Sequence, residues 1–213
     1  VFFPDAAPED LEGALLRVQL LADIPKSYQE QSQAVQARGD AEKLAIVLDT
    51  LAEVNAQSRY AAAGLALCNS LAGRLNCQRV SFGWHERGFI RLQAMSRTER
   101  FDRKMAAVQE IEKVMEEAFD QDDEIIWPKP EHYVLVNRDH GAFAAAGQVA
   151  AVCSLPLRRE GKPVAMLTLE RKEGSFSALE IQQLRLVADQ VVNRLEDLKR
   201  RDRWLDARVA GEG

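Results

Sequence analysis

The side chains of this 213-residue chain that could carry chemistry are three cysteines, three histidines and one run of acids. Cys68, Cys77 and Cys153 form no Cys-x-x-Cys pair, and their odd number and irregular spacing fit buried thiols in a reducing compartment better than a disulfide framework. Cys68 falls on an apolar helical stripe and Cys153 in an apolar strand, so Cys77, in a loop beside Gln78, is the thiol expected at the surface. One exposed thiol is too few for a redox cycle that needs a resolving partner. His132 and His140 are too far apart for adjacent turns of one helix and have no cysteine nearby; they are expected as solvated loop histidines, with no metal site. "DQDDE", Asp120 to Glu124, lacks the glycine and spaced ligands of a calcium loop and reads as a solvated acidic turn. No Gly-x-Gly-x-x-Gly, P-loop or Gly-x-Ser-x-Gly occurs, so no catalytic residue is expected and no cofactor can be named.

The elements that would position these groups follow from periodicity. Helices are expected over roughly 8–24, 26–38, 40–56 and 58–75, the third carrying Leu44, Val47, Leu48, Leu51 and Val54 on one face. The pattern changes at Arg79, where "RVSFGWHERGFIRLQAMS" alternates over two runs joined by "ERG". A three-residue loop there sets His85 opposite Phe89, Trp84 opposite Ile90, Phe82 opposite Leu92 and Val80 opposite Ala94. Those last six side chains then share a core face. The other face carries Ser81, Arg91, Gln93 and Met95, which a following loop with Trp127, His132 and Tyr133 could cover. Such a set suits a small anionic or planar ligand, although a plain solvated sheet face has the same pattern.

A long amphipathic helix is expected from Asp102 with Met105, Val108, Ile111, Met115 and Phe119 as its stripe, then an irregular segment with an extended piece near Tyr133–Val136 and a short helix over 139–146. A second hairpin spans "SLPLRREGKPVAMLTLER", with a two-residue Glu160–Gly161 loop and a three-residue loop starting at Arg159 both open. Ser177 and Glu180 make a capping box for the last helix. Along it Leu184, Ala188, Val191, Leu195, Leu198, Asp202 and Leu205 step by four and three, a seam broken only by Asp202. Leu184, Val191, Leu195 and Leu198 are accordingly expected at a homodimer interface, with packing inside the chain as the alternative.

Composition sets the outer limits. A hydrophobic fraction of 46% and a charged fraction of 29% describe a soluble globular chain, and a net charge of −5 argues against nucleic acid as partner. No secretory signal opens the chain, and a first residue of Val implies a piece of something longer.

The order of elements, with "SLPLRREGKPVAMLTLERKEGSFSALEIQQLRLVADQ" at its end, resembles a GAF domain. Pro156, Leu157, Gly161, Ala165, Leu167 and Phe176 occupy that family's closing pattern, with Ala165 where glycine is often found, and "LNCQRVSFGW" resembles its first strand. The resemblance implies an α+β fold, a central antiparallel sheet flanked by N- and C-terminal helices on one face, with 1–57 as a helical extension, 58–200 as the domain and 201–213 as the helix end. It also implies a cytoplasmic sensory module that binds a small ligand and couples it to a dimerising exit helix. A purely structural dimerising or anchoring module, or a GAF-type thiol-dependent methionine sulfoxide reductase, are the alternatives. The cyclic-nucleotide set and the Cys-His bilin pair of some relatives are missing. "RVSFGW", "MSRTERFDRK" and "LKRRDRWL" further resemble cytoplasmic GAF regions of bacterial membrane-fusion adaptor-related proteins of efflux systems. That likeness implies membrane anchoring of the whole protein; Lys199, Arg200, Arg201, Arg203 and Trp204 would then mark the cytosolic boundary, and an exposed helix end is the alternative.

Overall fold

The structure is a computed structural model in which residues 44–102, 104–130 and 134–211 are described. The helices expected over 8–38, and His132 and Tyr133, lie outside those residues. Helix α1 covers 44–55, α2 Tyr60–Arg74, β1 Arg79–Glu86, β2 Phe89–Met95, α3 Ala106–Asp120, β3 Ile125–Trp127, α4 Arg138–Gly147, β4 Ala151–Arg159, β5 Lys162–Arg171 and α5 Ala178–Gly211. The five strands form one antiparallel sheet in the order β2-β1-β5-β4-β3.

The sheet lies between two helical layers, and each face has its own core. On one side Val80, Phe82, Trp84, Ala94, Leu155, Leu167 and their neighbours pack against α1, α2 and α5. On the other, Ile90, Leu92, Ile125, Val152 and Met166 pack against α3 and α4. Small residues set the first contact: a Cβ on Gly64 would sit 3.3 Å from both Ala94 Cβ and Phe82 Cδ1, so α2 lies directly on the sheet. Gly83 does the same opposite, where a Cβ would come within 2.6 Å of Met115 Sδ and Ile90 Cγ2.

The first hairpin corrects the sequence-based register. Its turn is the two residues Arg87 and Gly88, with φ of 54° and 88°, so Glu86 rather than His85 opposes Phe89. Trp84 therefore faces Arg91, Gly83 faces Leu92 and His85 faces Ile90. A slip of one residue moves every side chain to the other face, which sends Ile90 and Leu92 to the α3 side, away from Val80, Phe82 and Trp84. A bulge at Gln93 adds a second residue to the offset, so Ala94 opposes Phe82 rather than Val80 and rejoins their face of the sheet. The second hairpin closes through the two-residue Glu160–Gly161 turn, both with positive φ.

Strand β2 is an edge, and α3 covers its free donors. Leu92 N–H donates to Glu112 Oε1 at 2.9 Å and Ile90 N–H to Glu116 Oε1 at 3.2 Å, which blocks strand addition there. Among the described residues the short strand of the irregular segment is Ile125–Trp127; of the piece expected near Tyr133–Val136, residues 134–136 are not in a strand and Tyr133 lies outside the described residues. Helix α3 begins at Ala106, leaving Met105 exposed at its N-cap.

Helix α5 opens with the expected capping box: Ser177 N–H donates to Glu180 Oε2 at 2.8 Å, and Glu180 N–H to Ser177 Oγ at 3.3 Å. The seam is consumed within the chain. Leu184, Val191, Leu195 and Leu198 are all buried in the core shared with α1, α2 and the sheet, because the four-three spacing faces the domain's own apolar layer. Those side chains are covered by the chain's own core. The break at Asp202 also has a structural cause: its Oδ2 accepts from Tyr60 N–H at 2.9 Å, capping the first turn of α2, whose own N-cap residue Arg59 makes no side-chain cap. Among the described residues no helix is long and apolar enough to cross a membrane.

Candidate functional site

The thiols are sealed. Cys77 is buried, not exposed, because Arg171 donates to Leu75 O at 2.6 Å and draws the end of α2 over it. Burial pushes the Cys77 thiol up to about 11, despite the opposing pull of Arg171, and pushes Cys68 and Cys153 further in the same direction. A disulfide-forming aromatic reagent should therefore find no reactive thiol in the native protein and three after denaturation. Fast labelling of Cys77 in the native state would contradict this.

His140 is likewise no solvated loop histidine. It sits in α4 with no exposed surface, between α3 and the sheet. Its Nδ1 lies 2.6 Å from Glu117 Oε2 and its Nε2 2.8 Å from Ser154 Oγ, which lies 2.8 Å from Thr168 Oγ1. A carboxylate accepts, so Nδ1 donates and Nε2 accepts the Ser154 hydroxyl. Ser81 is the next residue in this cross-strand row, and its buried Oγ has no partner. The Glu–His–Ser order resembles the relay that activates a serine, but Ser154 has no exposed surface and hence no room for a substrate. The chain instead clamps α3 and α4 to the sheet.

The residues expected to bind a ligand divide between the two faces. Ser81 and Met95 point to the α3 and α4 side with Trp127, whose ring packs on α4 where a Cβ of Gly141 would be 3.2 Å away. Arg91 and Gln93 instead border a cleft of about 1030 Å³ on the opposite side of the hairpin end. The corrected register is the reason: it pairs Arg91 with Trp84. The other walls of the cleft come from Tyr60 at the start of α2, Trp84 and Glu86 on β1, Phe89 on β2, and Lys199, Asp202 and Arg203 on α5.

Arg91 and Lys199 are each held in an ion pair. Arg91 Nη1 donates to Glu112 Oε2 at 3.0 Å and its guanidinium lies 5.2 Å from the Phe89 ring. Gln93 Nε2 donates to Arg91 O at 3.1 Å. Lys199 is paired with Glu86 and lies over the rings of Tyr60 and Trp84. Sequence inspection missed Tyr60, Glu86 and Lys199 as partners, since they lie on three elements far apart in the chain; only the aromatic character of Tyr60 and Trp84 marks them.

One antiparallel sheet between helical layers, with a lined cleft at the hairpin end, defines an α+β fold. The chain belongs to the GAF domain family, whose model matches residues 41–196, more than half its length. GAF domains commonly bind small ligands in sensing. The fold is similar to the GAF domain of an Acinetobacter phosphoenolpyruvate-protein phosphotransferase, with a TM-score of 0.59 at 11% identity over 76% of this chain and 98% of that one. It is also similar to the chromophore-binding domain of a Stigmatella aurantiaca bacteriophytochrome, with a TM-score of 0.53 at 14% identity, covering 73% and 60%. A free methionine-R-sulfoxide reductase from Neisseria meningitidis in complex with its substrate gives 0.54 at 12% identity, covering 75% and 92%. No protein of curated function matches the chain.

Proposed function

We propose that this chain is a non-enzymatic regulatory GAF module that holds a small ligand in the cleft at the hairpin end and passes its occupancy to α5. The observation that carries this is the shared wall: the sheet supplies Trp84, Glu86 and Arg91, and the exit helix supplies Lys199, Asp202 and Arg203. A ligand touching both changes the free energy of that helix contact, which is the condition for transmission. Against a thiol reductase stand the three buried, high-pKa cysteines. The likeness to efflux-system adaptor proteins would put the module at the cytosolic end of a transport assembly, and the reading frame beyond Gly213 tests that.

The direct test is native mass spectrometry of protein purified from cells, joined to hydrogen exchange of α5. The expected result is a retained small molecule whose removal changes protection over 196–203. A molecule that binds the domain with α5 protection unchanged would favour a purely structural role for that helix.

A further inference from the structure

Within that reading, the aromatic corner of the cleft identifies the ligand's chemistry. We propose that Tyr60, Trp84 and Glu86 form a seat for an organic cation, a quaternary or methylated ammonium, and that Lys199 fills this seat as an internal mimic. The two rings stand 6.0 Å apart at 82°, making perpendicular walls. Lys199 Nζ lies 4.9 Å from the Tyr60 ring centroid and 5.1 Å from that of Trp84, with Glu86 as its counter-ion. Two ring faces and one carboxylate around an ammonium is the arrangement that recognises quaternary ammonium groups.

The occupant is poorly matched to its seat. A lysine ammonium is a strongly hydrated point charge, yet this side chain keeps only 13% of its exposure. A methylated ammonium loses less water on entry and gives the rings more apolar surface. On exchange Glu86 keeps a cationic partner, and the released lysine ammonium regains its water. In this corner an anion would have to break the Lys199–Glu86 pair and would then face the negative ring faces. The displaced lysine is one turn before Asp202, the residue that caps α2 through Tyr60 N–H. Filling the seat from outside therefore loosens the clasp between α5 and α2.

The test titrates the whole chain with tetramethylammonium chloride at constant ionic strength, by calorimetry and by hydrogen exchange. Removing the internal competitor in Lys199→Ala should tighten binding about tenfold, as expected when the competent state is otherwise a minor one. Glu86→Gln, at a partly exposed position that leaves the core intact, should weaken binding in both backgrounds. Trp84→Leu should abolish it, with a melting curve to show that the variant is folded. Equal affinity of wild type and Lys199→Ala, or binding that Glu86→Gln leaves unchanged, overturns the proposal. Sulfate that binds and shifts α5 protection where tetramethylammonium does not also overturns the cation seat, while leaving the sensor reading intact. Tighter tetramethylammonium binding by Lys199→Ala with unchanged α5 protection supports the seat and removes the coupling.

Discussion

Leu195→Arg is expected to leave no cooperatively folded domain at room temperature. Leu195 has no exposed surface and lies where α5 meets the α1, α2 and sheet layer. A guanidinium there would be buried without a partner, at a cost of several kcal/mol against a total stability on the order of 5–15 kcal/mol. Leu195→Ala separates the cavity from the charge: it should fold, with a loss of about 2–5 kcal/mol and a melting temperature lower by about 2–4 °C per kcal/mol. Leu186→Arg, on the 41% exposed flank of the same helix, should change stability by less than about 0.5 kcal/mol. Circular dichroism and sedimentation decide the matter. A Leu195→Arg protein with a native melt and half the native mass would show that the seam faces a second chain after all.

Glu117→Ala should be the most damaging change on the opposite layer. The carboxylate accepts from Asp139 N–H at 2.9 Å, His140 N–H at 3.0 Å and His140 Nδ1 at 2.6 Å. It thereby caps α4 from α3, while Asn137, the N-cap residue of α4, makes no side-chain cap. Three donors in a part-buried site lose their acceptor together, for about 3 kcal/mol and about 6–12 °C in melting temperature. Glu117→Gln should lose less, since the amide oxygen still accepts.

The same cluster fixes the direction of a pH effect. Burial holds His140 below its ordinary pKa; the hydrogen bond and charge of Glu117 oppose this without prevailing. The unfolded chain therefore binds a proton that the folded one does not. The stabilisation is complete above about pH 6.5 and is lost as pH falls toward the lower folded value. His140→Gln should flatten the acid limb of urea-unfolding free energy relative to wild type, and an unchanged limb would mean that His140 does not carry it.

Much of the architecture was legible in local pattern. The capping box at Ser177, the break at "KEGSF", the small-residue face of α2 and the alternation on either side of "ERG" depend on residues close in sequence, where backbone sterics and apolar spacing act directly. The register was not legible. An Arg-Gly turn with Arg87 in the left-handed region competes with a three-residue loop of nearly equal cost, and the bulge at Gln93 leaves no mark in alternation. The choice falls to whichever pairing fills both cores, and Met115 against Gly83 is a contact between residues 32 positions apart.

What the sequence by itself determined is therefore the helices, the two hairpins, the apolar stripe of each helix and the GAF class, because period and capping are short-range properties. Tertiary structure alone decided what covers those faces. It spent the α5 seam inside the chain, buried His140 beneath Glu117, and brought Tyr60, Trp84, Glu86 and Lys199 to one corner. Periodicity states that a surface must leave water, but only packing states against what.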